Sequence, residues 1–416
     1  MLEEFKNKKI AILGFGREGR DSFLFLRKLF PQKILGIAEQ KEFPISNSQF
    51  PNTKLYFGKD YLKAIQNYDV VIKSPGIPFK ILRKPVVRKI TTQTEIFFDN
   101  CPGMIVGITG TKGKSTTSYW IYQVLKRAGL KAHLVGNIGK PVLSSLLSAK
   151  KDDVFVYELS SHQLYNLRKS PHIAVLLNIY PEHLDYYKSF QEYASAKANI
   201  TKYQTKNDYL IYNSGDPLAA KIAQKSKAKK IPIQGKYYGL NRAAAEAVAK
   251  IFKVPVPKKL KSLPHRLEYV GKFRGIEFYN DSLSTVPETA IEALDFLGDK
   301  VQTMILGGFD RGLDFKKLAE RLSESRIKTL ILFPTTGKRI WQDLLDFVNR
   351  LRSPTNPMME HFFVDSMRRA IKLAYKHTDK GKICLMSPAS PSFGIFKDYA
   401  QRGDLFKKFV KKYGKG

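Results

Sequence analysis

The segment 105–117 reads Ile-Val-Gly-Ile-Thr-Gly-Thr-Lys-Gly-Lys-Ser-Thr-Thr, and its character changes midway. Its first residues are apolar and predict a buried strand, whereas residues 119–125 have a helical pattern, so a loop rich in glycine and lysine joins strand to helix. Loop amides and a helix N-terminus attract anions. Lys114 could reach the terminal phosphates of a nucleotide, and the Ser115 hydroxyl could bind its magnesium ion.

This loop departs from the strict P-loop pattern because Ile108 occupies the position of the first glycine. A glycine-rich surface turn is the alternative interpretation. Gly-Lys-Ser chemistry between a strand and a helix favours a nucleotide-phosphate site.

Composition limits the class of protein. A chain of 416 residues with 43% hydrophobic and 12% aromatic residues predicts two or three domains with substantial cores. The two cysteines, Cys101 and Cys384, suit neither a disulfide framework nor a metal motif and are typical of a reducing cytoplasm. Neither a signal peptide nor a membrane-spanning apolar run is evident, so we expect a cytoplasmic protein without membrane insertion.

The net charge of +34 would suit nucleic acid or acidic membranes. However, the lysines are spread along the chain, and no basic stripe interleaved with aromatic residues stands out. We interpret the charge as a solvated surface that favours small polyanionic substrates, which makes nucleic-acid binding the minor alternative.

The N-terminal segment carries a dinucleotide fingerprint. Gly14-Phe-Gly-Arg-Glu-Gly19 follows a strand pattern and precedes a helical one, and the next predicted strand ends at Glu39. Such a lobe could bind NAD or another nucleotide diphosphate at the helix N-terminus. A further strand pattern, residues 70–72, ends before the rigid turn Ser74-Pro75-Gly76, where open α/β sheets place ligands.

Two other apolar strand patterns end at residues suited to a nucleotide's magnesium ion. Residues 154–157 lead to Glu158, and residues 174–177 lead towards His183. A surface role for Glu158 and core packing for His183 are the alternatives.

Lys197 lies in an apolar helical stripe with Phe190, Tyr193 and Ile200. Such a lysine usually extends its amine to the surface. The alternative is a desolvated amine with a lowered pKa, able to take up CO2 as a carbamate that would be an oxygen ligand for magnesium.

Linker-like sequences divide the chain into three predicted domains, 1–100, 101–262 and 263–416. The predicted fold class is α/β. We expect a Rossmann-like N-terminal domain, a central P-loop-type ATPase sheet flanked by helices, and a Rossmann-like C-terminal domain.

The motifs taken together resemble those of the Mur ligases, the amide-forming enzymes of peptidoglycan precursor synthesis. The matching segments are 107–116, 158–163, 178–183, 265–268, 280–282, 306–308 and 387–406. The last of these is similar to the member of the family that joins D-glutamate to UDP-N-acetylmuramoyl-L-alanine. The resemblance implies an ATP-dependent acid–amino-acid ligase with magnesium, an acyl-phosphate intermediate, and a monomeric state.

The resemblance also implies roles for individual positions. Residues implied to be catalytic are Lys114, Glu158, His183 and Lys197. Residues implied to bind ATP are Gly110, Thr111, Lys112, Gly113, Lys114, Ser115, Thr116, Asn241, Arg266 and Asp281. Residues implied to line the UDP-substrate site are Gly14, Gly16, Arg17, Glu18, Glu39, Gln40, Ser74, Pro75, Gly76, Asn137 and Gln163. Residues implied to contact D-glutamate are Thr285, Ser392, Phe393 and Tyr399. Implied magnesium ligands are Ser115, Glu158, His183 and Lys197 as its carbamate.

Some positions depart from the family pattern. Tyr237-Tyr238 replace a His-Asn pair, Leu283 replaces a lysine, and Gly394 and Ala400 replace acids. The alternatives are a sister ligase with another amino acid or folate, an NAD-binding oxidoreductase, a basic nucleic-acid-binding ATPase, and an inactive homologue. Linked domains also predict closure around the substrates.

Overall fold

The computed structural model describes residues 2–42, 52–82, 84–183, 185–235, 238–350 and 359–415. The chain forms two compact units, Met1–Leu260 and Lys261–Gly416. The first unit contains two sheets and the second contains one. Tyr237 lies outside the described residues. The division of the first unit near residue 100 stays a prediction.

The first sheet is parallel, with strand order β3-β2-β1-β4-β5. Its strands are β1 (Ile10–Leu13), β2 (Leu35–Glu39), β3 (Thr53–Phe57), β4 (Val70–Lys73) and β5 (Ile90–Thr92). The associated helices are α1 (Arg17–Leu29), α2 (Tyr61–Ala64), α3 (Lys84–Val87) and α4 (Gln93–Asn100). All four residues of the central strand β1 are buried, as expected for a sheet covered on both faces.

The second sheet is also parallel, with strand order β11-β10-β9-β6-β8-β7. Its strands are β6 (Met104–Thr109), β7 (Ala132–Gly136), β8 (Val154–Glu158), β9 (Ile173–Leu176), β10 (Tyr209–Asn213) and β11 (Lys229–Ile233). Its helices are α5 (Lys114–Arg127), α6 (Leu143–Leu146), α7 (Ser161–Leu164), α8 (Phe190–Lys202), α9 (Pro217–Lys225) and α10 (Tyr238–Phe252). Because β6 pairs with both β8 and β9, the loop after β6 lies beside the carboxyl ends of both strands.

The third sheet has the order β12-β13-β17-β14-β15-β16, parallel except for the antiparallel hairpin of its first two strands. Its strands are β12 (Glu268–Phe273), β13 (Ile276–Asn280), β14 (Val301–Gly307), β15 (Thr329–Phe333), β16 (Glu360–Phe363) and β17 (Ile383–Met386). Its helices are α11 (Pro287–Leu297), α12 (Lys316–Ser323), α13 (Thr336–Arg350), α14 (Met367–His377) and α15 (Tyr399–Gly414).

The predicted α/β class with parallel sheets and flanking helices is confirmed. Among the described helices, none combines the length and apolar character needed to cross a membrane.

Candidate functional site

The predicted phosphate loop joins β6 to α5, as the sequence indicates. Gly113 caps the helix with a left-handed backbone, φ +82°, and a Cβ there would lie 2.5 Å from Asn241 Oδ1. Glycine is therefore required both by the backbone conformation and by the close approach of α10. Lys114 Nζ donates to the carbonyls of Gly110 and Thr111 at 3.0 and 2.9 Å, so its amine lies over the loop.

The segment after β9 holds the loop in place. The Thr111 amide donates to Asn178 O at 2.8 Å, and the Lys112 amide donates to Asn178 Oδ1 at 2.8 Å. Asn241, which is predicted to bind ATP, accepts from Thr117 Oγ1 at 3.1 Å. No role was predicted for Asn178. Its position at the end of a buried strand is the same feature by which Glu158 was predicted from the sequence.

Glu158 is completely buried at the end of β8, which rules out the alternative of a surface residue. Its Oε1 accepts from Asn137 Nδ2 at 2.9 Å. Its Oε2 has no hydrogen-bond partner in the described part of the chain. An unpartnered buried carboxylate oxygen is costly, and a bound cation would compensate for it.

Lys197 is 1% exposed, so its amine does not reach the surface. Nζ donates to Gly110 O at 2.9 Å and lies 4.7 Å from the centre of the Tyr193 ring. Burial, together with the charge of Lys114, lowers the pKa of Lys197 far below the usual range for lysine. A lowered pKa favours the uncharged, nucleophilic form of the amine that carbamate formation requires.

The ring centre of His183 lies 6.2 Å from that of Tyr193, but its side chain is half exposed and its backbone has a φ of +57°. Its Nε2 is 3.6 Å from Glu182 Oε2, and its ring centre is 4.8 Å from that of His162. Burial, aided by His183, lowers the pKa of His162 to about 4. Neither Glu182 nor His162 had a predicted role. Both stand in motifs that the sequence singles out.

Among the described residues, no group of three or more histidine, cysteine or acidic side chains could hold a metal ion. The predicted magnesium ligands, the Ser115 hydroxyl, Glu158, His183 and the Lys197 carbamate, include only two residues of these types, so such a group is not required. The unpartnered Glu158 Oε2 fits this hard-cation chemistry.

The fingerprint loop between β1 and α1 is closely packed. A Cβ on Gly14, φ +87°, would lie 2.9 Å from Ser74, whose hydroxyl donates to Gly14 O at 2.8 Å. The Glu39 carboxylate accepts from the amides of Phe15 and Gln40 at 2.7 and 2.8 Å. Glu39 therefore stabilises the loop itself. Among the other predicted residues, Gly16 caps α1, the Pro75 carbonyl accepts from Tyr186 at 3.0 Å, and Gly76 is exposed.

Helix α1 connects this loop to the second sheet. The Arg17 guanidinium donates to the carbonyls of Asn137, at 3.3 Å, and Gly139. Glu18 Oε1 accepts from Gln163 Nε2 at 2.7 Å. Burial raises the pKa of Glu18 to about 7, against smaller opposing effects of Gln163 and Arg17. The structure thus brings four predicted UDP-substrate residues together.

Asp21, one turn further along α1, makes the most extensive contact of this connection. Its carboxylate accepts from Gln93 Nε2 at 2.7 Å, from the Leu143 and Ser144 amides at 3.1 and 3.4 Å, and from the Ser144 hydroxyl. No role for Asp21 was predicted from the sequence.

The predicted residues of the second unit gather at the carboxyl ends of its strands. Asp281 follows β13, accepts from Leu267 N at 2.9 Å and accepts from Ser387 Oγ at 2.7 Å. Burial raises its pKa to about 7, and the charge of Arg266 opposes that rise. Arg266 lies between His265 and Leu267, which both have positive φ, 64° and 43°. Such strained backbone concentrates at functional sites.

Arg402 holds two of these segments together. This fully buried guanidinium donates to Ser282 Oγ at 3.0 Å, Ser282 O at 2.7 Å and Ser390 O at 3.0 Å. Burial lowers its pKa to about 9. No role was predicted for Arg402. It lies in an apolar helical stripe with Phe406 and Val410, the same kind of pattern by which Lys197 was singled out.

The predicted D-glutamate residues differ in exposure. Ser392 is buried, Thr285 is partly buried, and Phe393 and Tyr399 are exposed. A cation that the sequence interpretation did not assign, Arg311, lies 5.4 Å from the centre of the Phe393 ring.

Two departures from the family pattern can be located in this unit. Gly394 has a φ of +89°, a conformation that an acidic residue would adopt only with strain. Leu283 is partly buried, and its amide donates to His265 O at 2.9 Å.

Comparison with known proteins supports the resemblance to the Mur ligases. Residues 108–273 match the Mur ligase middle domain. The chain is 32% identical to the UDP-N-acetylmuramoylalanine–D-glutamate ligase of Acetivibrio thermocellus, over 98% of this chain and 97% of that protein. It is 30% identical to the enzyme of the same name from Clostridium tetani, over 99% of both chains.

Solved structures show the same fold. The MurF ligase of Thermotoga maritima in complex with ADP aligns with a TM-score of 0.57 at 16% identity, covering 99% of this chain and 98% of that one. The UDP-N-acetylmuramate–alanine ligase MurC of the same organism also aligns with a TM-score of 0.57 at 16% identity, covering 98% and 99%.

The chain belongs to the Mur ligases, and within them to the family of UDP-N-acetylmuramoylalanine–D-glutamate ligases. These are ATP-dependent ligases of peptidoglycan synthesis. The predicted family and enzyme class are therefore confirmed, whereas the roles of the individual site residues stay predictions.

Proposed function

We propose that this protein joins D-glutamate to UDP-N-acetylmuramoyl-L-alanine at the expense of ATP. Full-length similarity to enzymes named for that reaction supports the choice of substrates. The observation that carries the chemistry is the cluster at the phosphate loop. There the buried amine of Lys197 and the unpartnered oxygen of Glu158 lie at the carboxyl ends of neighbouring strands.

The loop residues have the first task in this reaction. The α5 amides and Lys114 would bind the β- and γ-phosphates and neutralise their charge. A carboxylate is a poor electrophile, so an oxygen of the substrate carboxylate attacks the γ-phosphorus and ADP leaves. The resulting acyl phosphate contains a good leaving group.

The amine of D-glutamate then attacks the carbonyl carbon of this acyl phosphate, and the tetrahedral intermediate collapses to the amide and inorganic phosphate. Ser115, Glu158, His183 and a carbamate on Lys197 would hold magnesium, which would neutralise charge on the transferred phosphoryl group. Lys197 must be uncharged to form this carbamate, and burial lowers its pKa in the direction that favours this form.

We assign substrate binding to the other predicted residues. Arg17, Glu18, Asn137 and Gln163, connected across the first unit, would contact the UDP-sugar-peptide. Arg266 and Asp281 would bind ATP, and the exposed Phe393 and Tyr399 would contact D-glutamate. A cytoplasmic location, a monomeric state and closure of the units around the substrates are part of the same proposal.

Phosphate release from ATP tests the proposal directly. The enzyme is supplied with UDP-N-acetylmuramoyl-L-alanine and, in separate reactions, with D-glutamate, L-glutamate, L-alanine, L-lysine or meso-diaminopimelate. We expect release with D-glutamate alone, in spite of Leu283 and Gly394. Release with another of these amino acids would retain the ligase chemistry but refute the proposed specificity, and no release with any of them would refute the proposal.

A further inference from the structure

A basic groove runs along α8. It consists of two adjoining cavities of about 380 and 500 Å³, which share Tyr165, Asn166, Asn199 and Lys202. No residue that lines either cavity has a predicted catalytic or substrate-binding role. We call this feature the α8 groove.

Charge in the α8 groove is predominantly positive. The cations that line it are Arg88, Arg168, Lys202, Lys221 and Lys225. Within the described part of the chain, none of their charged nitrogens lies within 4.0 Å of a carboxylate oxygen. The two carboxylates that line the groove, Glu95 and Glu192, accept hydrogen bonds from Thr91 Oγ1 and Tyr165 OH at 3.1 and 2.7 Å. The groove therefore carries an excess of positive charge, with five cations against two carboxylates.

Three aromatic rings line the same groove, and Lys202 Nζ lies 5.5 Å from the centre of one of them, Tyr203. Phe79 and Tyr165 contact each other with ring centres 5.2 Å apart, and Tyr203 is 43% exposed. The rings and the cations come from four separated segments, which explains why no basic stripe is visible in the sequence. The segment of α8 between Glu192 and Lys202 lines the groove over a length of about 15 Å, which suits an extended ligand better than a single ion.

Two classes of extended polyanion could meet such a surface. An acidic peptide needs cations only, whereas single-stranded nucleic acid needs a cationic track for its backbone and aromatic faces for its bases. The combination of five cations with three aromatic rings meets the second requirement. We propose that the α8 groove binds single-stranded nucleic acid without strong sequence preference.

The test compares groove variants with a matched control in the full-length protein. The probe is a fluorescently labelled oligo-uridylate of about 12 nucleotides, within the range of known single-strand sites, and binding is followed by anisotropy at several salt concentrations. The triple variant Arg88→Ser, Arg168→Ser, Lys202→Ser removes three positive charges from the groove. The control Lys408→Ser, Lys411→Ser, Lys412→Ser removes three from exposed positions on α15.

We expect the groove variant to bind at least about tenfold more weakly. Its slope of log K against log salt should fall by about 2, since each contact with single-stranded phosphate contributes about 0.7. The charge-neutral variant Tyr203→Ala should weaken binding by about fivefold or more through lost stacking. The control variant should bind nearly as well as wild type, and ligase activity should persist in every variant.

Three outcomes would overturn the proposal. The first is no binding even at low salt. The second is an equal loss in the groove and control variants, which would show that binding depends only on overall charge. The third is displacement of the probe by poly-glutamate together with no effect of Tyr203→Ala, which would identify an acidic-peptide site.

Discussion

Glu18 allows the electrostatics of the first unit to be tested quantitatively. This carboxyl accepts from Gln163 across the connection between the first two sheets, and burial raises its pKa from 4.5 to about 7. In the variant Glu18→Gln the side chain keeps an oxygen that can accept the same hydrogen bond, but it cannot ionise. Comparison with wild type therefore isolates the cost of the charge.

The sign follows from proton linkage. Between pH 4.5 and about 7 the folded protein holds a proton that the unfolded chain has lost, so wild-type stability falls as pH rises through this range. A pKa change of this size corresponds to about 3 kcal/mol, at about 1.4 kcal/mol per unit. Glu18→Gln should thus match wild type near pH 4.5 and exceed its free energy of unfolding by up to about 3 kcal/mol at pH 8.

Urea unfolding across this pH range measures the difference. The exposed Glu42→Gln variant, in the same unit, controls for the change in net charge. A difference between Glu18→Gln and wild type that stays constant from pH 4.5 to pH 8 would refute the reasoning, because the buried carboxyl would then have the same pKa in both states.

Three further predictions concern the phosphate loop and the second unit. Glu158→Gln should keep the hydrogen bond from Asn137 but lower kcat by about 100-fold or more, as expected for loss of transition-state charge stabilisation. It should also raise the magnesium concentration needed for half-maximal activity. Unchanged kcat and magnesium dependence would contradict the proposed ligand role. Lys197→Met should be inactive. Wild type should lose activity when CO2 is removed and regain it when bicarbonate is added. An active Lys197→Met variant, together with no effect of bicarbonate on wild type, would argue against the carbamate. Arg402→Lys cannot make all three guanidinium hydrogen bonds, so thermal or urea unfolding should show the second unit destabilised by about 2–4 kcal/mol. Arg402→Lys should also raise the KM for D-glutamate more than that for ATP. If the variant unfolds with the same free energy as wild type, Arg402 does not hold the segments of Ser282 and Ser390 together.

Local sequence patterns predicted much of the fold and part of the site. Continuous apolar strands that stop at a polar residue correctly located the ends of β6 and β8, and with them the loop and Glu158. The helical spacing of Phe190, Tyr193 and Ile200 correctly predicted that Lys197 lies on the apolar face of α8, and the structure shows that its amine stays buried. These features depend on residues that are close in sequence, which is why they could be predicted.

Other features depend on contacts between distant residues. The fingerprint pattern allowed Glu39 to bind a ribose, as in NAD-binding proteins, but both of its oxygens accept backbone amides. Asp21 looks like an ordinary helix-surface acid until the fold brings the Leu143 and Ser144 amides to it. The α8 groove likewise has no counterpart in any single stretch of sequence.

The contacts of α1 have a consequence for how the chain could be dissected. Arg17, Glu18 and Asp21 each pair with a group that lies beyond residue 136 in the sequence. A fragment ending near residue 100 would keep Gln93 but separate the Asp21 carboxylate from the Leu143 and Ser144 amides, although the sequence there resembles a linker. A cut after Leu260 breaks none of these pairs. Fragment expression, domain exchange with relatives and split-protein designs should therefore divide this chain once, at residue 260, and treat its first two sheets as inseparable.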